Sequence, residues 1–122
     1  MTVRVLAIDD SRTMRDLVRL TLEGAGMAVT VAEDGVHGVE TFQDGRFDAV
    51  ITDINMPRMD GFGVIEAIRG GNRDRRIPIL VLTTESGADL KRRARDSGAT
   101  GWIVKPFDSG ALIGAIRRVT GS

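Results

Sequence analysis

Asp9 and Asp10 follow the apolar run VRVLAI, and Asp53 follows FDAVIT. Thr83 closes IPILVLT and Lys105 closes GWIVK. Strands of a parallel sheet all end on one side, so such strands would bring these residues to one crevice. Two carboxylates about 4 Å apart repel by about 4 kcal/mol at an effective dielectric near 20, so an acid trio calls for a cation. An oxygen-only ligand set suits Mg2+, which keeps several waters and takes one or two carboxylates. Asp53 stands apart from the acidic pair. Beside a divalent cation its carboxylate is ionised and can act as a nucleophile, as in aspartyl-phosphate chemistry, with the metal neutralising charge on the phosphoryl group. Lys105 would supply a point charge and Thr83 a hydroxyl to the new dianion.

The elements that must position these residues alternate along the chain. Val3–Ile8, Met27–Ala32, Phe47–Thr52, Ile77–Thr83 and Trp102–Val104 read as strands. Helix-period segments lie between and after them: Ser11–Gly24, Gly35–Gln43, Phe62–Arg69, Gly87–Ser97 and Ser109–Val119. In the first helix Met14, Leu17, Val18, Thr21, Leu22 and Ala25 make the apolar stripe, Ser11 can cap its start, and Gly24 or Gly26 can end it. Asn55–Asp60 contains Pro57 and reads as a loop, as does the polar GGNRDRR. Five β-α units in a row predict a doubly wound α/β fold with a parallel sheet and helices on both faces. The helix Gly87–Ser97 has little to bury, since Ala88, Leu90 and Ala94 face four cationic neighbours; it is the candidate movable element.

Bulk properties narrow the function. At 122 residues one domain, residues 1–122 with no output domain, is the expectation. Seventeen basic and 17 acidic residues give a net charge of +0, so nothing drives binding to nucleic acid or insertion into a membrane. The absence of cysteine removes disulfides, thiolate metal sites and thiol nucleophiles. No signal peptide or membrane span is recognisable, and a cytoplasmic monomer is expected. His37, the one histidine, is expected at the surface. Met14, Met27, Met56 and Met59 read as packing or loop contacts.

The Asp9-Asp10 pair, Asp53, Thr83-Thr84 and Lys105-Pro106-Phe107 resemble the receiver domain of two-component response regulators, and the resemblance covers the whole chain. It implies a flavodoxin-like sheet of strand order 2-1-3-4-5. It implies that Asp53 is phosphorylated by a histidine kinase, and that Asp10, Asp53 and the Asn55 carbonyl ligate Mg2+ directly while Asp9 acts through water. It also implies a cis peptide before Pro106. Within the family, Thr13-Met14-Arg15, Asn55, Glu85 and GATGWIVKPF are similar to chemotaxis regulators of the CheY type. The side chains of Asn55 and Glu85 would flank the water that attacks the acyl phosphate. Trp102 holds the aromatic switch position, and Thr83 would couple phosphorylation to it. The resemblance thus implies a signalling switch rather than an enzyme of turnover. A CheA-like kinase and the flagellar motor switch protein would be its partners, through a face made by the fourth helix, fifth strand and fifth helix. The chain departs from CheY at Ile54, where CheY has tryptophan, and at Ser86-Gly87-Ala88, where CheY has a lysine pair.

Four other readings compete. A phosphate sink that drains a kinase, or a regulator of a non-motility pathway, would show nearly the same residues. An aspartyl-nucleophile phosphatase would carry an Asp-x-Asp pair, where this chain has Asn55. A nucleotide-binding module would need a Gly-rich loop where Asp9-Asp10-Ser11 stands.

Overall fold

The computed structural model describes residues 2–122. The chain alternates strand and helix: β1 (Arg4–Ile8), α1 (Arg12–Gly24), β2 (Ala28–Ala32), α2 (Gly35–Asp44), β3 (Ala49–Thr52), α3 (Gly61–Arg69), β4 (Ile79–Thr83), α4 (Ala88–Ser97), β5 (Gly101–Val104) and α5 (Ser109–Thr120). All four strand pairings are parallel, in the order β2-β1-β3-β4-β5. This is the predicted doubly wound, flavodoxin-like sheet. The observed strands β3 and β4 start later than their apolar runs do, at Ala49 and Ile79. Pro78 lies within the second run and has no N–H for a ladder bond.

Period-two alternation sorts the strand side chains onto two cores. Leu6, Ile8, Val50, Ile79 and Val81 point to one, with Phe42 of α2, Phe62 and Ile65 of α3 and Ala94 of α4. Val5, Ala7, Ala49, Ile51, Leu80 and Leu82 point to the other, with Val18 and Leu22 of α1 and Leu112 and Ile116 of α5. The central strands β1, β3 and β4 are buried on both faces, which is why they read as continuous apolar runs. Helix α4 is the outlier, burying only Ala94. Arg93 lies over the Phe62 ring, 3.9 Å from its centroid, and ties the helix to α3.

Helix starts follow their cap residues. The side chains of Ser11, Asp34, Asp60 and Asp108 accept N–H bonds from Met14, His37, Gly63 and Ala111. Helix α4 begins at Gly87 with no side-chain cap. The Lys105–Pro106 peptide is cis.

Candidate functional site

The ladder bonds run one residue past the strands on the carboxyl edge of the sheet. Asp9 N–H donates to the Ala32 carbonyl (3.1 Å), Asp53 N–H to Ile8 (3.0 Å) and Lys105 N–H to Thr83 (2.8 Å). The ends of β1, β3 and β5 are thereby held in fixed register. Asp9, Asp10 and Asp53 each offer a carboxylate oxygen within 4.8 Å of the others, with Asp9 and Asp53 buried and Asp10 exposed. The Lys105 ammonium donates to Asp9 Oδ2 (2.8 Å) and to Asp53 Oδ2 (2.9 Å). Its side chain is only 9% exposed, so the two contacts are shielded from water.

The remaining oxygens of the buried acids are also engaged. Asp9 Oδ1 accepts the Ser11 N–H at 2.9 Å and Asp53 Oδ1 accepts the Ile54 N–H at 2.7 Å. Ile54 is itself buried, in the core shared with Phe62 and Ile65. Arg15 reaches from α1 to donate to the Asp9 carbonyl at 2.8 Å. Gly61 lets α3 approach closely, since a Cβ there would collide with the Asp53 carbonyl oxygen.

Burial and pairing pull the titrating groups in opposite directions. Burial raises the Asp9 carboxyl above its ordinary value, and the Lys105 and Ser11 hydrogen bonds only partly offset it. For Lys105 burial would lower the ammonium. The hydrogen bonds to Asp9 and Asp53 outweigh burial, and the net direction is up. The ammonium is therefore firmly charged at neutral pH. One cation against three carboxylates leaves the cluster electronegative. With carboxylate oxygens only, it has the donor chemistry of a Mg2+ site.

Around this cluster, Glu85 links the remaining candidates. Its carboxylate accepts from Asn55 Nδ2 at 3.1 Å. Its N–H donates to the Thr83 hydroxyl at 3.4 Å, and its carbonyl accepts from Trp102 Nε1 at 3.0 Å. Thr83 is fully buried. Trp102 is half-buried against the core shared by α2, α3 and α4, with its ring nitrogen anchored. Sequence reasoning named all four residues but not the bonds that join them through Glu85.

Other features were missed. His37 is part-exposed at the surface, and its contacts were not foreseen: its Nδ1 accepts the Glu33 N–H at 3.3 Å and its own N–H is capped by Asp34 at 2.8 Å. The Glu33 contact holds the ring at the start of α2. The ion pair of Asp34 with Arg58 was also unforeseen, although an Asp before an apolar helical segment is a recognisable cap. Met27 is buried, and Met14, Met56 and Met59 pack against the two cores, as expected.

A switch point in a doubly wound sheet, carrying buried acids bridged by an ammonium, defines a class of signalling proteins. Residues 5–117 match the response regulator receiver domain, and the chain belongs to that family. Receiver domains are switches of two-component systems rather than classical enzymes, and they bind Mg2+ at an acidic pocket. The structure is similar to chemotaxis protein CheY4 of Vibrio cholerae (TM-score 0.93, 42% identity, covering 98% of this chain and 99% of that one). It is also similar to the receiver domain of a Pseudomonas aeruginosa sensor histidine kinase, solved with a magnesium ion coordinated in its active-site cleft (TM-score 0.91, 26% identity, 100% of both chains). Among curated proteins it is 37% identical to response regulator MprA of Mycobacterium tuberculosis over 117 residues, 96% of this chain and 50% of that one. The chain spans about half the length of the curated relatives it matches.

Proposed function

We propose that residues 1–122 act as one receiver unit that takes a phosphoryl group on Asp53 from a histidine kinase and then binds a protein partner. The observation that carries this reading is the Lys105 ammonium bridging Asp9 and Asp53 inside the acid cluster. An Asp53 oxygen attacks the phosphorus of phosphohistidine, the P–N bond breaks, and the imidazole leaves with the electron pair and takes up a proton. Lys105 is placed to pair with the phosphoryl oxygens as they arrive. Asp10, Asp53 and the Asn55 carbonyl would hold Mg2+ directly, and Asp9 through water. When bound, the cation supplies charge neutralisation at the phosphoryl group. Water held between Asn55 and Glu85 later attacks the phosphorus, the bond to the Asp53 oxygen breaks, and phosphate departs. Acceptance and autodephosphorylation are the chemistry proposed for the receiver unit.

The switch follows from the hydrogen bonds around Glu85. A phosphoryl oxygen accepts the Thr83 O–H and draws the hydroxyl toward the site, away from the Glu85 N–H that donates to it, which disturbs the segment whose carbonyl anchors Trp102. The face of α4, β5 and α5 changes with it. Shifting a 1:99 equilibrium to 99:1 takes about 5.5 kcal/mol of differential binding, which charge-assisted contacts to a dianion can supply.

The 42% identity to CheY4 over nearly its full length supports a chemotaxis setting, with a CheA-like kinase upstream and the flagellar motor switch downstream. The MprA likeness favours the second reading, a regulator of another pathway. A phosphate sink would show no partner binding that rises with phosphorylation.

The test is intact mass after incubation with Mg2+ and acetyl phosphate, with Trp102 fluorescence followed in parallel. One phosphoryl increment on wild type and none on Asp53→Asn is expected. An increment on Asp53→Asn would overturn the assignment.

A further inference from the structure

The loop from Ile54 to Asp60 is shaped by a feature that the phosphoryl chemistry leaves unexplained. Arg58 has φ 68, in the left-handed region that side chains other than glycine rarely adopt. The Met59 N–H donates to the Pro57 carbonyl at 2.8 Å, so Arg58 is the centre of a three-residue turn of the strained γ kind. Backbone strain of this sort persists only where the surroundings over-determine it.

Here the surroundings are the start of α2. The Arg58 guanidinium forks onto Asp34, Nε to Oδ2 at 2.9 Å and Nη2 to Oδ1 at 3.0 Å. Asp34 is buried, and its Oδ1 also caps α2 through the His37 N–H. The arginine hydrogen bond, first, and that N–H, second, hold its carboxyl below the ordinary range. Glu33 and Glu40 add to the negative field around the guanidinium. Next to the fork, Gly35 lies so close to the Met59 carbonyl that a Cβ would collide with it. One end of the loop is thus fixed to α2. The other is fixed to the site, where Ile54 N–H binds Asp53, the Ile54 carbonyl accepts the Gly61 N–H (2.8 Å), and the Asn55 side chain binds Glu85.

We infer that Arg58 is a positioning residue: its fork to Asp34 holds the strained turn so that the Asn55 backbone is set for the divalent cation. This rests on the reading of Asn55 and the acid cluster as the cation site. A bidentate arginine pair suits the task, because it fixes direction as well as distance. Without it, the turn relaxes and the Asn55 carbonyl loses its aim.

The test is calorimetric titration of Mg2+ into wild type, Arg58→Ala, Arg58→Gly and Asp10→Asn, with melting temperatures measured without metal. Glycine accepts the left-handed turn without strain, so Arg58→Gly removes the fork while keeping the backbone shape accessible. Arg58→Ala should bind Mg2+ on the order of 10-fold more weakly, the effect of losing an outer-shell support at a metal site. Arg58→Gly lacks the fork as well but carries no strain to relax, so it should lose less affinity than Arg58→Ala, which separates aim from loss of the ion pair. Wild-type affinity in both Arg58 variants, with weakened binding in Asp10→Asn, would overturn the inference and leave the cation site standing. Unchanged binding in Asp10→Asn would overturn both.

Discussion

Lys105 is where one side chain matters most. It neutralises parts of two buried carboxylates that would otherwise face each other and Asp10. Removing one partner of a buried pair leaves uncompensated charge, so Lys105→Ala should cost about 3 kcal/mol at neutral pH, read as a lowered denaturation midpoint. The pH dependence has a defined sign. The folded-state ammonium titrates above the ordinary 10.5. The stability it contributes is therefore fully present below pH 10.5 and is lost as pH rises through the raised value. The gap between wild type and Lys105→Ala should hold from neutrality to that point and close beyond it. A gap constant into strong alkali would show that the ammonium contributes packing rather than charge. Asp53→Asn behaves differently. It leaves Lys105 paired with Asp9 and removes one repelling charge, so it should fold at least as stably as wild type while refusing the phosphoryl group.

Among the elements, α4 is held most lightly. It buries one residue, starts without a side-chain cap, and leans on α3 through Arg93 over Phe62. Local opening is easiest where few apolar contacts must break. Its amides should exchange faster than those of α1 and α3 by hydrogen-deuterium exchange. Arg93→Ala removes a cation–π contact of about 0.5–1 kcal/mol, which should quicken α4 exchange roughly two- to five-fold and leave α1 unchanged. A uniform change across the molecule would deny α4 its independence. The looseness has a use in the proposed switch, since α4 borders β5 and its Trp102. The helix was recognisable as weak from sequence because Lys91, Arg92, Arg93 and Arg95 crowd out apolar positions. Its tie to Phe62 was not, because nothing in either local pattern pairs them.

For the whole molecule, a cation bound only by the folded state stabilises it by mass action. The gain is about 2.7 kcal/mol at a hundredfold excess over the dissociation constant. Saturating Mg2+ should raise the wild-type melting temperature and raise that of Asp10→Asn less. Equal shifts would argue against carboxylate ligation. No helix among the described residues is long and apolar enough to cross a membrane.

The residue order by itself determined the alternation of strands and helices, the parallel sheet and the set of strand-end residues. Each of these is written in local periodicity and in which residue follows an apolar run. Asp9, Asp53, Thr83 and Lys105 could be named because a parallel sheet sends every strand end to one side. The tertiary structure alone decided which of them touch. Lys105 meets Asp9 across 96 positions and Asp53 across 52, a pairing set by strand order and register. The Glu85 bonds to Thr83, Asn55 and Trp102 depend on how the loops leave β3 and β4. The fork of Arg58 on Asp34 spans two loops on one side of the sheet, and Arg69 binds the carbonyls of Gly98, Arg75 and Ile77 across the other end of α3. Long polar side chains look alike in sequence wherever they stand. Their partners are fixed only when packing of the two cores brings distant backbone groups within hydrogen-bond reach.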